Sequence, residues 1–249
     1  MKRHFFLLFC AVVAANLAFA QSSASVSPDM ARHEINAGKV KRIVYFNNGG
    51  SVEETINFSP KGEEKKAPIY KKQQLKRDDL GRLVFGERIR KLDKTFEDPQ
   101  CFRTSLAYVG NELCPQLEEW KIFLSIDDSV FYRRNLSHCI YGNQGNAPLK
   151  EFAYSEIEGL YLFFYTEYKY LEFDENGNWT KREIAIYQTD VVPEEGDMAE
   201  YYSLLKVDIP LSQRDVQESK LAQYFISSAE SEPEYVWKYT ETRKIEYYK

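Results

Sequence analysis

Four short segments punctuate this chain in the same way: "FNNGG" (46–50), "FSPKG" (58–62), "RDDLGRL" (77–83) and "FDENGNW" (173–179). In each, a turn-forming residue is followed two or three positions later by Gly, and β-prone residues lie on both sides. The reason is conformational. In "DENG", Asp174 caps the turn from its first position, with Glu175 and Asn176 in the centre. Gly177 takes the left-handed conformation that ends a type I turn with a bulge. Asp174, Asn176 and Gly177 are therefore structural turn residues, and Trp179 starts the returning strand. Strands joined by tight turns pair antiparallel, so this punctuation excludes a doubly wound α/β fold, which needs alternating strands and helices.

The segments between the turns support the same reading. "KVKRIVYF" and "SVEETINF" flank "NNGG" as a hairpin. In "EWKIFLSI" (119–126), Trp120, Ile122, Leu124 and Ile126 share one face. "GLYLFFY" (159–165) has the length of a buried strand. "YYSLLKVDIPL" and the closing "EYVWKYTETRKIEYYK" add further strands, giving nine or ten in all. One helix is expected over 212–227, capped by Ser212 and carrying a stripe of Val216, Leu221, Tyr224 and Phe225. The expected class is mainly β: an antiparallel β-meander or hairpin sheet, curled or sandwich-like, with one α-helix in the C-terminal region.

Residues 1–20 read as a signal peptide. Lys2 and Arg3 precede an apolar run, and Ala18-Phe19-Ala20 forms a small-x-small cleavage site. Cleavage after Ala20 delivers a periplasmic or secreted chain with no later segment of transmembrane length. It leaves 31 of the 33 basic side chains against 38 acidic ones, a net charge of −7. Nucleic acid, which needs a clustered positive field, is thus a poor partner. Residues 21–38 are read as a flexible N-terminal segment and 39–249 as a single β-rich domain, with a subdivision near 93–118. Of the three cysteines after the leader, Cys101 and Cys114 are the preferred disulfide, with pairing to Cys139 or three unpaired thiols left open. No metal-ligand spacing and no cofactor motif is found, so no metal and no cofactor is expected.

"RDDLGRL" and "FDENGNW" resemble the Tyr-Asp-x-x-Gly core of YD-type (Rhs-like) repeats in exported bacterial proteins of Bacteroidetes type. Arg77 and Phe173 stand where that pattern has Tyr, and residues 90–150 show no copy. The resemblance implies a sheet wrapping on itself, used structurally or for surface interaction, and implies no catalytic residues.

Candidates for chemistry are few. Asp127 with Asp128, and Glu156 with Glu158, are the carboxylate pairs that a glycan hydrolase would use. His138 and Cys139 are adjacent on a strand and so face opposite ways. Tyr168, Tyr170, Trp179, Tyr235, Trp237 and Tyr239 offer aromatic area either for a ligand platform or for cross-strand packing. The expected function is an exported, non-catalytic binding or structural protein, with a glycan or another envelope protein as partner. The alternatives are a secreted glycan-acting hydrolase and an assembly subunit that pairs through a sheet edge.

Overall fold

The structure is a computed structural model, and it describes residues 26–67, 70–90, 100–124, 131–142, 145–157, 160–190 and 234–249. One helix, α1 (Pro28–Arg32), precedes eleven strands: β1 (Val40–Phe46), β2 (Val52–Asn57), β3 (Tyr70–Arg77), β4 (Leu83–Arg90), β5 (Cys101–Ala107), β6 (Leu117–Phe123), β7 (Arg133–Tyr141), β8 (Pro148–Ile157), β9 (Leu160–Phe173), β10 (Trp179–Asp190) and β11 (Glu234–Tyr247). They form one sheet in the order β2-β1-β11-β10-β9-β8-β7-β6-β5-β4-β3, and all its pairs are antiparallel. The expected antiparallel meander is present. The described helix is N-terminal, and the helix expected over 212–227, like the strand expected over 201–211, lies outside the described residues. The sheet runs through Cys101–Ala107 and Leu117–Phe123 without a break, and residues 93–99 of the expected subdivision lie outside the described residues.

All four glycine turns share one geometry. The first residue's carbonyl accepts from the glycine amide in each: Asn47 from Gly50 at 2.9 Å, Ser59 from Gly62 at 2.9 Å, Asp78 from Gly81 at 2.9 Å and Asp174 from Gly177 at 3.0 Å. The first side chain then accepts from amides two and four residues on. Asp174 Oδ1 takes Asn176 N at 2.9 Å and Asn178 N at 3.0 Å, and Asn47, Ser59 and Asp78 repeat the pattern. The glycines close each turn at φ between +75° and +83°. At Gly177, a Cβ would meet nothing within 4 Å. Gly177→Ala should therefore cost only the left-handed penalty, about 1–2 kcal/mol in urea unfolding. At Gly62 the same change brings the Cβ within 2.5 Å of Ser27 Oγ, so Gly62→Ala should cost more.

The two edge strands, β2 and β3, follow each other in sequence. After the Ser59 turn the chain doubles back beside β2, with Lys65 N donating to Asn57 O at 2.8 Å. The edges come together at Asp29, whose carboxylate accepts from Glu64 N beside β2 and from both Nη atoms of Arg77 on β3, each at 2.7 Å. The sheet is thus curled, with an inner face enclosed by its own edges.

Residues 26–38, expected to be flexible, form a strap across one end of the curl. Ser27 caps α1, its Oγ accepting from Met30 N at 3.2 Å. Met30 and Ile35 join Val40, Ile43, Ile56 and Phe58 in an apolar cluster. Three of the four glycine turns gather at this end, and the strap binds each. Ser27 Oγ donates to Gly62 O at 2.7 Å, Asp29 is tied through Arg77 to Gly81 O, and Asn36 Nδ2 donates to Gly177 O at 3.3 Å. The repeated turn therefore anchors the strap as well as joining strands.

Candidate functional site

The inner face is unlike the apolar interior that strand alternation leads one to expect. Following the register, it carries Tyr45 opposite Arg243, and Glu241 opposite Arg182. Arg182 lies in turn opposite Tyr170, and Ile184 opposite Tyr168. Glu151 pairs with Cys139, Glu118 with Ser137, and Arg88 with both Gln73 and Phe102.

Two polar clusters occupy this face. The first holds the strap. Trp179, fully buried, lies between two guanidinium groups, Arg243 at 3.8 Å and Arg182 at 4.3 Å from its ring centroid. Its Nε1 donates to Glu34 at 2.5 Å, and Arg182 Nη1 donates to both Glu34 oxygens at 2.8 and 3.0 Å. Arg182 Nε reaches Glu241 at 2.6 Å. Arg243 donates to the carbonyls of Trp179, His33 and Glu34 at 2.8 to 3.1 Å. Asn178, also fully buried, accepts from the amides of Asn36 and Ala37 and donates to Ala37 O and Tyr247 Oη. Every polar atom of the Asn178 side chain is thereby engaged. The groups of this cluster satisfy one another.

The second cluster is not self-satisfied. Glu64 accepts from Arg32, from His33 Nε2 at 3.1 Å and from Arg88 Nη2 at 3.2 Å. Burial acts to raise its pKa, but the His33 hydrogen bond and the Arg32 and Arg88 charges win and hold it at about 2. Among the described residues, Arg32 Nε, Arg88 Nε, Arg133 Nε and Gln73 Oε1 are buried with no hydrogen-bond partner. Among the described residues no hydrogen bond or ion pair reaches the Glu118 carboxylate. Burial raises its pKa, opposed by the Arg32 charge and helped by that of Glu151. Glu118, Cys139, Tyr141 and Tyr168 are half-buried.

The structure divides the expected aromatic platform. Trp179 is fully buried and presents no ligand face, a correction that follows from its arginine clamp. Tyr168 and Tyr170 face inward with their hydroxyls engaged, by Glu151 at 2.6 Å and Pro148 O at 2.5 Å. Tyr239 also faces inward, opposite Ile184, and Trp237, opposite Ile186, shares that face but is 42% exposed. Tyr235 pairs in register with Tyr187, and its side chain lies outside the described residues.

The cysteines call for a second correction. All three are free. Cys101 opens β5 and Cys114 follows its far end, so the seven residues of the strand separate them by about 20 Å, beyond disulfide reach. Glu156 lies opposite Arg134 and Tyr161, on the face away from Glu118 and Glu151. Asp127, Asp128 and Glu158 lie outside the described residues. His138 and Cys139 do face opposite ways, with Cys139 inward.

Sequence reasoning missed Arg32, Gln73, Arg88, Glu118 and Arg133. A charged residue placed in register with apolar neighbours, as Arg133 is with Ile122, was the available signal. Among the described residues no helix is long and apolar enough to cross a membrane. Comparison with protein-family models, with curated proteins and with solved structures returns no match for this chain.

Proposed function

We propose that the protein is an exported, non-catalytic binding protein that takes a small polar ligand on the inner face of its curled sheet. The observation that carries this reading is the set of buried polar groups there without a partner among the described residues: Arg32, Gln73, Arg88 and Arg133. More than nine in ten buried polar groups in folded proteins have partners. Each orphan costs about 1–3 kcal/mol, and a group of them on one enclosed surface is what a polar binding site looks like before its ligand arrives. The leader, cut after Ala20, places the protein in the periplasm or outside the cell, where glycans and envelope proteins are the partners at hand. The likeness to YD-type repeats agrees with a sheet used for interaction.

Binding to a glycan and cell-wall panel tests the reading, using protein exported from its own leader. Trp120 lies on the inner face between Thr104 and Asn135. Trp120→Ala should abolish binding to whichever component is retained, while exposed Trp237→Ala should leave it intact. The reverse pattern would move the site along the same face to its exposed end, where Trp237 lies opposite Ile186.

A further inference from the structure

We propose that the inner face binds a sugar acid, a ring-shaped polyhydroxylated molecule that carries a carboxylate. The proposal rests on the reading of this face as the binding site, and adds the chemistry of its occupant.

The unpartnered groups define that chemistry by what they lack. Three are guanidinium Nε–H donors, on Arg32, Arg88 and Arg133. Arg32 and Arg88 each spend Nη2 on Glu64, which leaves their Nε edges for another acceptor. A carboxylate suits such an edge, because guanidinium and carboxylate meet in charge-assisted pairs. Two groups accept: the unpartnered Gln73 Oε1, in register with Arg88 across the β3–β4 pair, and the half-buried Glu118 carboxyl group, which faces the same way. These need donors, which hydroxyl groups supply.

Ring-sized apolar surface is interleaved with the charges. Phe102 lies between Arg88 and Ile122 in the cross-strand row, and Arg133 stacks over Trp120 at 5.2 Å. Thr104, Asn135 and Ser155 continue the Trp120 row as small polar neighbours, with Ser155 Oγ donating to Asn135 Oδ1 at 2.7 Å.

The local charge agrees. Glu64 is held ionised, whereas burial raises the pKa of Glu54 and Glu118. A bare phosphate would satisfy the donors and leave the acceptors and rings unused. A neutral sugar would do the opposite.

The test is a calorimetric titration of the exported protein with D-glucuronate, D-glucose and inorganic phosphate, repeated on Arg133→Met and Gln73→Leu. Glucuronate should bind at least tenfold more tightly than either other probe. Each variant should weaken it about tenfold, the range expected for losing one charged or buried hydrogen bond. Both variants replace an orphaned polar atom by an apolar one of similar size, so their melting temperatures should not fall, which separates lost binding from lost fold. Phosphate binding as tight as glucuronate would overturn the sugar acid in favour of a bare oxyanion. Glucose binding as tight, and weakened by Gln73→Leu, would overturn the acid while sustaining the inner-face site. Unaltered binding in both variants would overturn the site itself.

Discussion

Trp179→Ala should lower the unfolding free energy by about 3–5 kcal/mol, the range for deleting a large buried aromatic side chain. The loss should be larger than at any other aromatic residue of the described sheet. Trp179 is where three parts of the fold meet. Its indole separates Arg182 from Arg243, its Nε1 fixes Glu34 of the strap, and its ring packs against Tyr45 and Tyr170. Truncation leaves a cavity between two buried guanidinium groups and removes one partner of Glu34. The strap should loosen with it, so limited trypsin digestion should cut at Arg32 far faster in the variant. Trp179→Phe keeps most of the packing and loses the Nε1 hydrogen bond, and should cost about 1–3 kcal/mol. Urea unfolding of the three proteins beside Trp237→Ala measures this. If Trp179→Ala were no more destabilising than the exposed Trp237→Ala, the clamp would not hold the fold together.

What the sequence shows of this fold depends on how local the governing physics is. The glycine turns are legible because each is complete within five residues: a capping side chain, its two amides and a glycine at positive φ. The hairpin around Asn47 and the alternation of Trp120 and Ile122 are legible for the same reason. β8 is not, because "PLKEFAYSEI" starts on Pro148 after a loop rich in Gly and Asn, and its charged residues blur the alternation. The strap is illegible in another way. "VSPDMARHEINAG" has the polar composition of a mobile segment, and its order comes from partners such as Asn178 and Arg243, more than 140 residues away. The inner face is hidden by a false premise, that the enclosed side of a sheet is its apolar side. Arg182, Arg243 and Glu118 are enclosed, and alternation assigns charged residues to water. The residues of "FDENGNW" carry the turn chemistry on their face. They do not reveal that three such turns meet beneath one strap.

Acid should unfold the protein through Glu64. Its pKa when folded, about 2, lies below the ordinary carboxylate value of 4.5. A depressed folded pKa means that the stabilisation is fully present above about pH 4.5 and is lost as the pH falls toward 2. Over that interval the loss is on the order of 3 kcal/mol. His33 acts in the same direction. Burial and the Arg32 charge lower its pKa from 6.5, so its contribution is complete above pH 6.5 and declines below it, as unfolding lets the ring take a proton. Glu54 and Glu118 act in the opposite sense. Their pKa values are raised, first of all by burial, so their share is present at low pH and is lost as the pH rises past the ordinary value. The inner face thus contains carboxyl groups that favour acid and one, Glu64, that resists it. Glu64 dominates below pH 4.5 because it bridges Arg32 and Arg88, whose charges become uncompensated once it is protonated. Urea midpoints followed by circular dichroism from pH 7 to pH 2.5 should fall steeply in the native protein below pH 4.5. In Glu64→Gln the curve should start lower at pH 7 and stay nearly flat over the same interval. Parallel curves for the two proteins would show that Glu64 is not the group whose protonation opens the strap end of the curl.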